Sequence, residues 1–179
     1  MSTLSLAETL AKKTKEADEQ LDILCHVIFL SSTIDKIKER LLIIINNHIP
    51  INKSIPRKCL NGSLRLTNPL LTWAQDRYEG SFTSNNGMTI TKELKHWDRT
   101  RLEEDANTIL KMLLDCGADP YICYPDTKQD ALHVAMADGF PQCVKALISQ
   151  VQYNIGHLSN QDSFGDSVVH SALSNAHYE

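Results

Sequence analysis

Cysteine and histidine side chains are the groups of this chain that could bind a metal ion or act as nucleophile and base. Cys116 and Cys123 are separated by six residues, and His133 follows them. Zinc fingers and zinc knuckles place their paired ligands about two to four residues apart. The spacing therefore predicts no metal site.

A cysteine hydrolase needs a thiol beside a histidine base. Cys25 and His26 are neighbours in a helical pattern, so their side chains point to different faces, and we expect Cys25 to be a core thiol. Catalysis would require Cys25 or Cys59 to meet a histidine in space. The chain also lacks the glycine-rich motifs that cradle phosphate, so no nucleotide cofactor is expected.

Charge and hydropathy exclude two classes of partner. The formal net charge of −4 gives no overall attraction to nucleic acid. The most apolar stretches, residues 23–30 and 41–45, are much shorter than the roughly 20 residues of a membrane-spanning helix. With no signal-peptide pattern and an odd number of cysteines, the sequence predicts an intracellular protein, cytoplasmic or nuclear.

Apolar periodicity indicates helices along most of the chain. A capping box at Ser5 to Glu8 opens one long or two short helices, and a second helix begins after Thr33 and ends at Asn46-Asn47. A third is expected from Pro69 through about Tyr78, and a fourth from Asp105 to a glycine cap at Gly117.

Two segments lack this periodicity. Residues 48–69 are predicted as an extended loop with a short hairpin turning at Asn61-Gly62. Residues 79–91 contain turn formers and are predicted as a loop or insertion.

Four segments resemble parts of one repeat motif. Residues 109–120 resemble the second helix and exit turn of an ankyrin repeat. Residues 130–135 and 162–172 resemble its Thr-Pro-Leu-His-x-Ala start, and Asn68 to Ala74 is similar, with Leu71 where histidine is usual. His133 and His170 are 37 residues apart, against about 33 for an ankyrin unit, so a short insertion is expected around residues 150–157.

The resemblance implies an all-α ankyrin-repeat solenoid of helix-turn-helix units with an N-terminal helical cap and a long insertion. We divide the chain into 1–52, a cap or degenerate repeat; 53–120, a repeat interrupted by insertion 79–104; 121–157, a repeat; and 158–179, the start of an incomplete repeat. A half repeat leaves an apolar face uncovered, so we expect a longer natural protein. His133 and His170 would order the stack, and Trp73 would be core.

The resemblance further implies a non-enzymatic module that binds another protein, with no cofactor and no small molecule, through its concave surface and loop tips. The residues assigned to this surface are Tyr121, Tyr124, Asp126, Lys128, Val134, Asp138, Asn160, Gln161, Phe164 and Trp97. Packing of Tyr121 and Tyr124 between repeats is an equal alternative.

Two wider interpretations stay open. The chain could be the targeting segment of a larger enzyme, for example a cysteine hydrolase. Its irregular array with a long insertion and Asn- and Ser-rich loops also resembles those of effectors that intracellular bacteria deliver into the host cytoplasm, although eukaryotic adaptors and viral ankyrin proteins fit nearly as well.

Overall fold

Eight helices and four short strands form the part of the chain that the structure describes. A computed structural model describes residues 5–29, 33–58, 64–75, 80–83, 89–92, 99–150 and 155–174. The helices are α1 (Leu6–Phe29), α2 (Ile34–Asn46), α3 (Pro69–Gln75), α4 (Arg99–Asp115), α5 (Ala131–Ala137), α6 (Pro141–Gln150), α7 (Ile155–Leu158) and α8 (Val168–Ser174). The strands are β1 (Ile55–Lys58), β2 (Leu64–Thr67), β3 (Gly80–Thr83) and β4 (Thr89–Lys92).

The first apolar pattern forms one continuous helix, α1. Its capping box is present, since the Ser5 N–H donates to Glu8 Oε2 at 2.7 Å and the Glu8 N–H donates to Ser5 Oγ at 3.2 Å. Residues in the second half of α1, among them Leu21, Leu24 and Cys25, are fully buried. Cys25 is therefore a core thiol, as its position in the helical pattern predicted.

The helices stack in two rows. Helices α1, α3, α5 and α8 form the first row, in which each member packs on the next. Helices α2, α4 and α6 form the second row in the same way, and each of α1, α3 and α5 also packs on the second-row helix that follows it. One apolar core runs between the rows. The predicted helical solenoid is confirmed, and α1 with α2 forms its first layer.

The exit turns of α2 and α4 have the same hydrogen bonds. The Ile49 N–H donates to the Ile44 carbonyl at 2.9 Å, and the Ala118 N–H donates to the Leu113 carbonyl at 3.0 Å. Gly117 has a φ of 84°, the left-handed conformation predicted for it. The equivalent residue of the first turn is His48, with a φ of 51°.

Asn52 joins these two turns. Its side-chain Nδ2 donates to the Gly117 carbonyl at 2.9 Å, and its Oδ1 accepts from the Asp119 N–H at 2.7 Å. The first layer is thus fixed to the second by hydrogen bonds as well as by apolar packing.

A four-stranded antiparallel sheet in the order β2-β1-β3-β4 interrupts the helices. Strands β1 and β2 form the hairpin predicted within residues 48–69, although its turn at 59–63 lies outside the described residues. Of the two alternatives for residues 79–91, an insertion or a loop, the loop is wrong for the described positions, because β3 and β4 pair there and Thr83 joins Lys58 of β1. Threonine and isoleucine at Thr89, Ile90 and Thr91 favour a strand.

The fourth helix begins at Arg99, six residues before the predicted start at Asp105. Its first turns carry charged residues, which show no apolar period. Consequently residues 99–104, placed in the insertion from the sequence, belong to α4.

The segments between α6 and α8 include the short helix α7, in the region where an insertion was expected.

Candidate functional site

The first helix of each later layer is capped by the residue at the threonine position of its motif. In each case a side-chain oxygen accepts the backbone N–H three residues later. The pairs are Asn68 with Leu71 at 2.8 Å, Asp130 with His133 at 2.9 Å, and Ser167 with His170 at 3.4 Å. Asp130, which departs from the usual threonine, therefore keeps the capping role.

His133 is a buried structural histidine. Its Nδ1 lies 2.9 Å from Asp130 Oδ1, and only 1% of the residue is exposed. Burial lowers the pKa of His133, but hydrogen bonding to Asp130, the charge of Asp130, the Asn160 backbone and the charge of Asp162 together raise the pKa above its ordinary value. The predicted role in ordering the stack holds for His133. His170, by contrast, is exposed, with its Nδ1 2.8 Å from Ser167 Oγ.

The raised pKa of His133 gives a pH dependence of stability. The folded protein holds this proton more tightly than the unfolded chain does. The contribution of His133 to the free energy of unfolding is therefore complete below the unfolded pKa of about 6.5, and it is lost as pH rises through the pKa of the folded protein. We expect the stability advantage of the wild type over His133→Gln to shrink from about pH 5 to about pH 9. Urea unfolding of both proteins across this pH range measures the difference in their free energies of unfolding. A difference that stays constant or grows with pH would contradict the prediction.

Residues 124–129 form a tight turn, here named tip 1. The Tyr124 N–H donates to the Gln129 carbonyl at 3.0 Å, and the Lys128 N–H donates to the Tyr124 carbonyl at 2.8 Å. Asp126 Oδ1 accepts from the Thr127 N–H at 3.0 Å. Asp126 and Lys128 are exposed on this turn, where the sequence placed them.

Tyr124 does not belong to the exposed surface. It is 2% exposed, and its hydroxyl donates to the carbonyl of Leu71 in α3. Its assignment to the partner-binding set is therefore corrected: this ring anchors tip 1 to the preceding layer, as the packing alternative stated. Tyr121, three residues earlier, is 38% exposed, and its N–H donates to Asp119 Oδ1 at 2.9 Å.

Residues 161–167 form the equivalent turn of the next layer, here named tip 2. Asp162 Oδ1 accepts from the N–H groups of Phe164 at 2.8 Å and Asp166 at 3.0 Å. Burial raises the pKa of Asp162, but these two hydrogen bonds, with Gln129 and the charge of His133, lower the pKa below its ordinary value. Phe164, in the middle of this turn, is 76% exposed, and Gln161 and the preceding Asn160 are also exposed.

Two hydrogen bonds join the tips. The Ser163 N–H donates to the Thr127 carbonyl at 2.8 Å, and Gln129 Nε2 donates to Asp162 Oδ2 at 3.0 Å. Sequence reasoning missed this linkage, although the Asp-x-x-Gly pattern at Asp162 marks a side-chain-stabilised turn. The paired tips are thus one connected surface that presents Phe164 among polar groups.

The helix positions assigned to the surface are only partly accessible. Val134 and Asp138, both half-buried, lie on α5 and at its C-terminal end. Trp97 lies outside the described residues. The structure therefore brings the predicted tip residues together, except Tyr124, and leaves the contribution of Trp97 a prediction.

The thiols of the described residues are poorly suited to nucleophilic chemistry. Burial raises the pKa of Cys116 and of Cys123, and neighbouring aspartates add to both shifts, so little thiolate forms at neutral pH. Cys143 is fully buried, and Cys59 lies outside the described residues. Among the residues with a described position, no group of three metal-ligating side chains is found, and no helix is long and apolar enough to cross a membrane.

Two rows of stacked helices with projecting turns define a helical repeat solenoid, a class in which each unit contacts its neighbours. Residues 102–179, somewhat less than half of the chain, match the sequence model of ankyrin repeats in three copies, and this match supports the ankyrin resemblance of that segment. No curated protein matches it. Ankyrin repeats bind other proteins and are generally non-catalytic.

Proposed function

We propose that the chain is a protein-binding module whose partner docks on the paired tips and the adjoining half-buried face of α5. The observation that carries this proposal is the exposure of Phe164 on a turn held by Asp162 and joined to tip 1 by two hydrogen bonds. An aromatic side chain on a pre-formed turn buries much area on binding and loses little conformational freedom.

The chemistry of the tips indicates the kind of partner surface. Phe164 requires an apolar pocket, while Asp126 and Lys128 require polar or oppositely charged groups around that pocket. Tyr121 adds a second, half-exposed ring beside tip 1. The partner is therefore expected to be a protein with a shallow apolar depression in a mixed polar rim.

Affinity capture from cell lysate tests this proposal. The bait is the wild-type chain, compared with a variant in which Tyr121, Asp126, Lys128 and Phe164 are changed to alanine while the buried Tyr124 is retained. A partner enriched by the wild type and lost with this variant supports the tip surface.

A matched control is Leu42→Ala, since Leu42 is 57% exposed on α2, away from the tips. This variant is expected to capture the same partner. If the tip variant is folded and keeps the partner, the binding site lies elsewhere on the chain and the proposal is wrong.

The cellular setting of this binding stays a prediction. Delivery into a host cell as a bacterial effector, an intracellular location and a targeting role within a larger enzyme rest on the sequence interpretation alone. Identification of the captured partner, together with the compartment in which it resides, would distinguish these settings.

A further inference from the structure

A buried histidine interacts with two buried carboxylates at the base of the tips. His133, Asp130 and Asp162 are 1%, 1% and 6% exposed. His133 Nδ1 lies 2.9 Å from Asp130 Oδ1, whereas the charge of Asp162 and the Asn160 backbone raise the pKa of the ring from the side of tip 2. Among the described residues, none forms a well-aligned hydrogen bond with Nε2. The link between His133 and tip 2 is therefore mainly electrostatic.

The two carboxylates share this one ring as their counter-charge. The charges that act on the His133 ring are those of Asp130 and Asp162, and the charge that lowers the pKa of Asp162 is that of His133. Helix α3, which packs on α5, has no ionisable residue. The other acidic and basic side chains on the elements around α5 are exposed or half-buried: Asp126, Lys128, Asp166, Asp138, Lys145 and His170.

We propose that His133 is a pH-sensitive clamp, whose protonated ring holds tip 2 against the end of α5 and whose neutral ring releases it. Loss of the proton leaves Asp130 and Asp162 as buried like charges without their counter-charge, which is strongly unfavourable. Asp130 is fixed in place because its side chain caps α5. Asp162 lies on a turn and regains water if that turn moves outward, so tip 2 is the element that moves.

The clamp acts on the surface assigned to partner binding. Asp162 Oδ1 accepts from the N–H groups of Phe164 and Asp166, so a movement of Asp162 displaces Phe164. Tip 2 is held at acidic pH and is released as pH rises through the pKa of folded His133, which lies above its ordinary value. The consequence for binding rests on the proposed function: affinity for the partner is expected to fall as tip 2 is released.

The next layer offers a matched control. His170 occupies the position equivalent to His133, but it is exposed, and its Nδ1 lies 2.8 Å from the Ser167 hydroxyl rather than from a carboxylate. Loss of a proton from His170 therefore leaves no buried charge unpaired.

Amide hydrogen exchange, measured by NMR from about pH 5 to about pH 9 without any partner, tests the clamp. The readout is the protection factor, the ratio of the intrinsic to the observed exchange rate, of the Ser163, Phe164 and Asp166 N–H groups. In the wild type these factors are expected to fall with rising pH by on the order of tenfold, which corresponds to one pKa unit of coupling. The Ala118 N–H, in the exit turn of α4, should keep its protection.

Three variants separate the clamp from other effects of pH. His133→Gln removes the titrating ring, and Asp162→Asn removes the second charge but keeps an oxygen that can accept the two N–H groups of tip 2. In both variants the protection of tip 2 should no longer change with pH, whereas His170→Gln should behave like the wild type. Circular dichroism establishes which variants are folded, and either of the first two suffices for the comparison.

Several results would overturn the proposal. One is protection of tip 2 in the wild type that stays constant or rises with pH, and another is a fall that persists in His133→Gln or Asp162→Asn. An equal fall at Ala118 would mean that the whole stack opens rather than tip 2, and it also overturns the clamp. Because no partner takes part, a failed affinity capture would leave the clamp intact, and a failed clamp would leave the tips as a binding surface.

Discussion

Replacement of Trp73 by alanine is expected to lower the free energy of unfolding by about 3–5 kcal/mol. The side chain is 1% exposed in α3, and its indole Nε1 donates to the Ala106 carbonyl of α4 at 2.9 Å. The substitution removes the ring that fills the space between two helices of one layer, together with the hydrogen bond from the indole to the Ala106 carbonyl. Since domains of this size are stable by only about 5–15 kcal/mol, the variant would be close to unfolding.

Urea unfolding followed by circular dichroism measures this loss. Trp73→Phe keeps most of the apolar volume and should lose about half as much or less. Leu42→Ala, at an exposed position of α2, should stay within about 0.5 kcal/mol of the wild type. A loss below about 1 kcal/mol for Trp73→Ala would mean that the ring does not pack between α3 and α4.

The second large effect is expected from two tyrosines that look alike in sequence. Tyr124→Ala should lower the free energy of unfolding by on the order of 3–5 kcal/mol, because it removes a buried ring and its hydrogen bond to Leu71. Tyr121→Ala should change stability by no more than about 0.5 kcal/mol, since Tyr121 is 38% exposed.

The affinity for a partner should depend on Tyr121 rather than on Tyr124. Once a partner has been captured, Tyr121→Ala is expected to weaken its affinity without loss of folding, whereas Tyr124→Phe, which keeps the ring, should bind normally and lose only about 1 kcal/mol of stability. Calorimetric titration and urea unfolding of the same samples separate the two effects. Equal stability of Tyr121→Ala and Tyr124→Ala would contradict the burial of Tyr124.

The stacked architecture could be predicted from sequence because its signals are local. The apolar periods of α1 and α2, the proline that begins α3 and the glycine at position 117 each fix a helix or its end within a few residues. The ankyrin motifs then give the order of the layers. Trp73 and His133 were correctly placed for the same reason, since their motif positions determine their burial.

The remaining features depend on contacts between distant residues. The pairing of β3 with β1 joins Thr83 to Lys58, and no local pattern distinguishes that strand from a polar loop. The direction of the Tyr124 ring is set by the Leu71 carbonyl, 53 residues earlier. Asn52 lies in a segment predicted as a loop, and nothing in the sequence near it indicates its hydrogen bond to the distant Gly117 carbonyl. The division of the chain at residues 52, 120 and 157 stays a prediction.

The segment between α3 and α4 has a consequence for how this array can evolve. Residues 76–98 connect two helices that pack on each other, so the ends of the segment are held together whatever its length. Doubling the length of a flexible loop costs only about 0.6 kcal/mol in closure entropy, less than the roughly 2–5 kcal/mol lost when a single buried leucine becomes alanine. Changes in length that leave the pairing of β3 with β4 and with β1 intact can therefore accumulate here by drift, and homologous chains are expected to differ in length at this segment while α3 and α4 keep theirs.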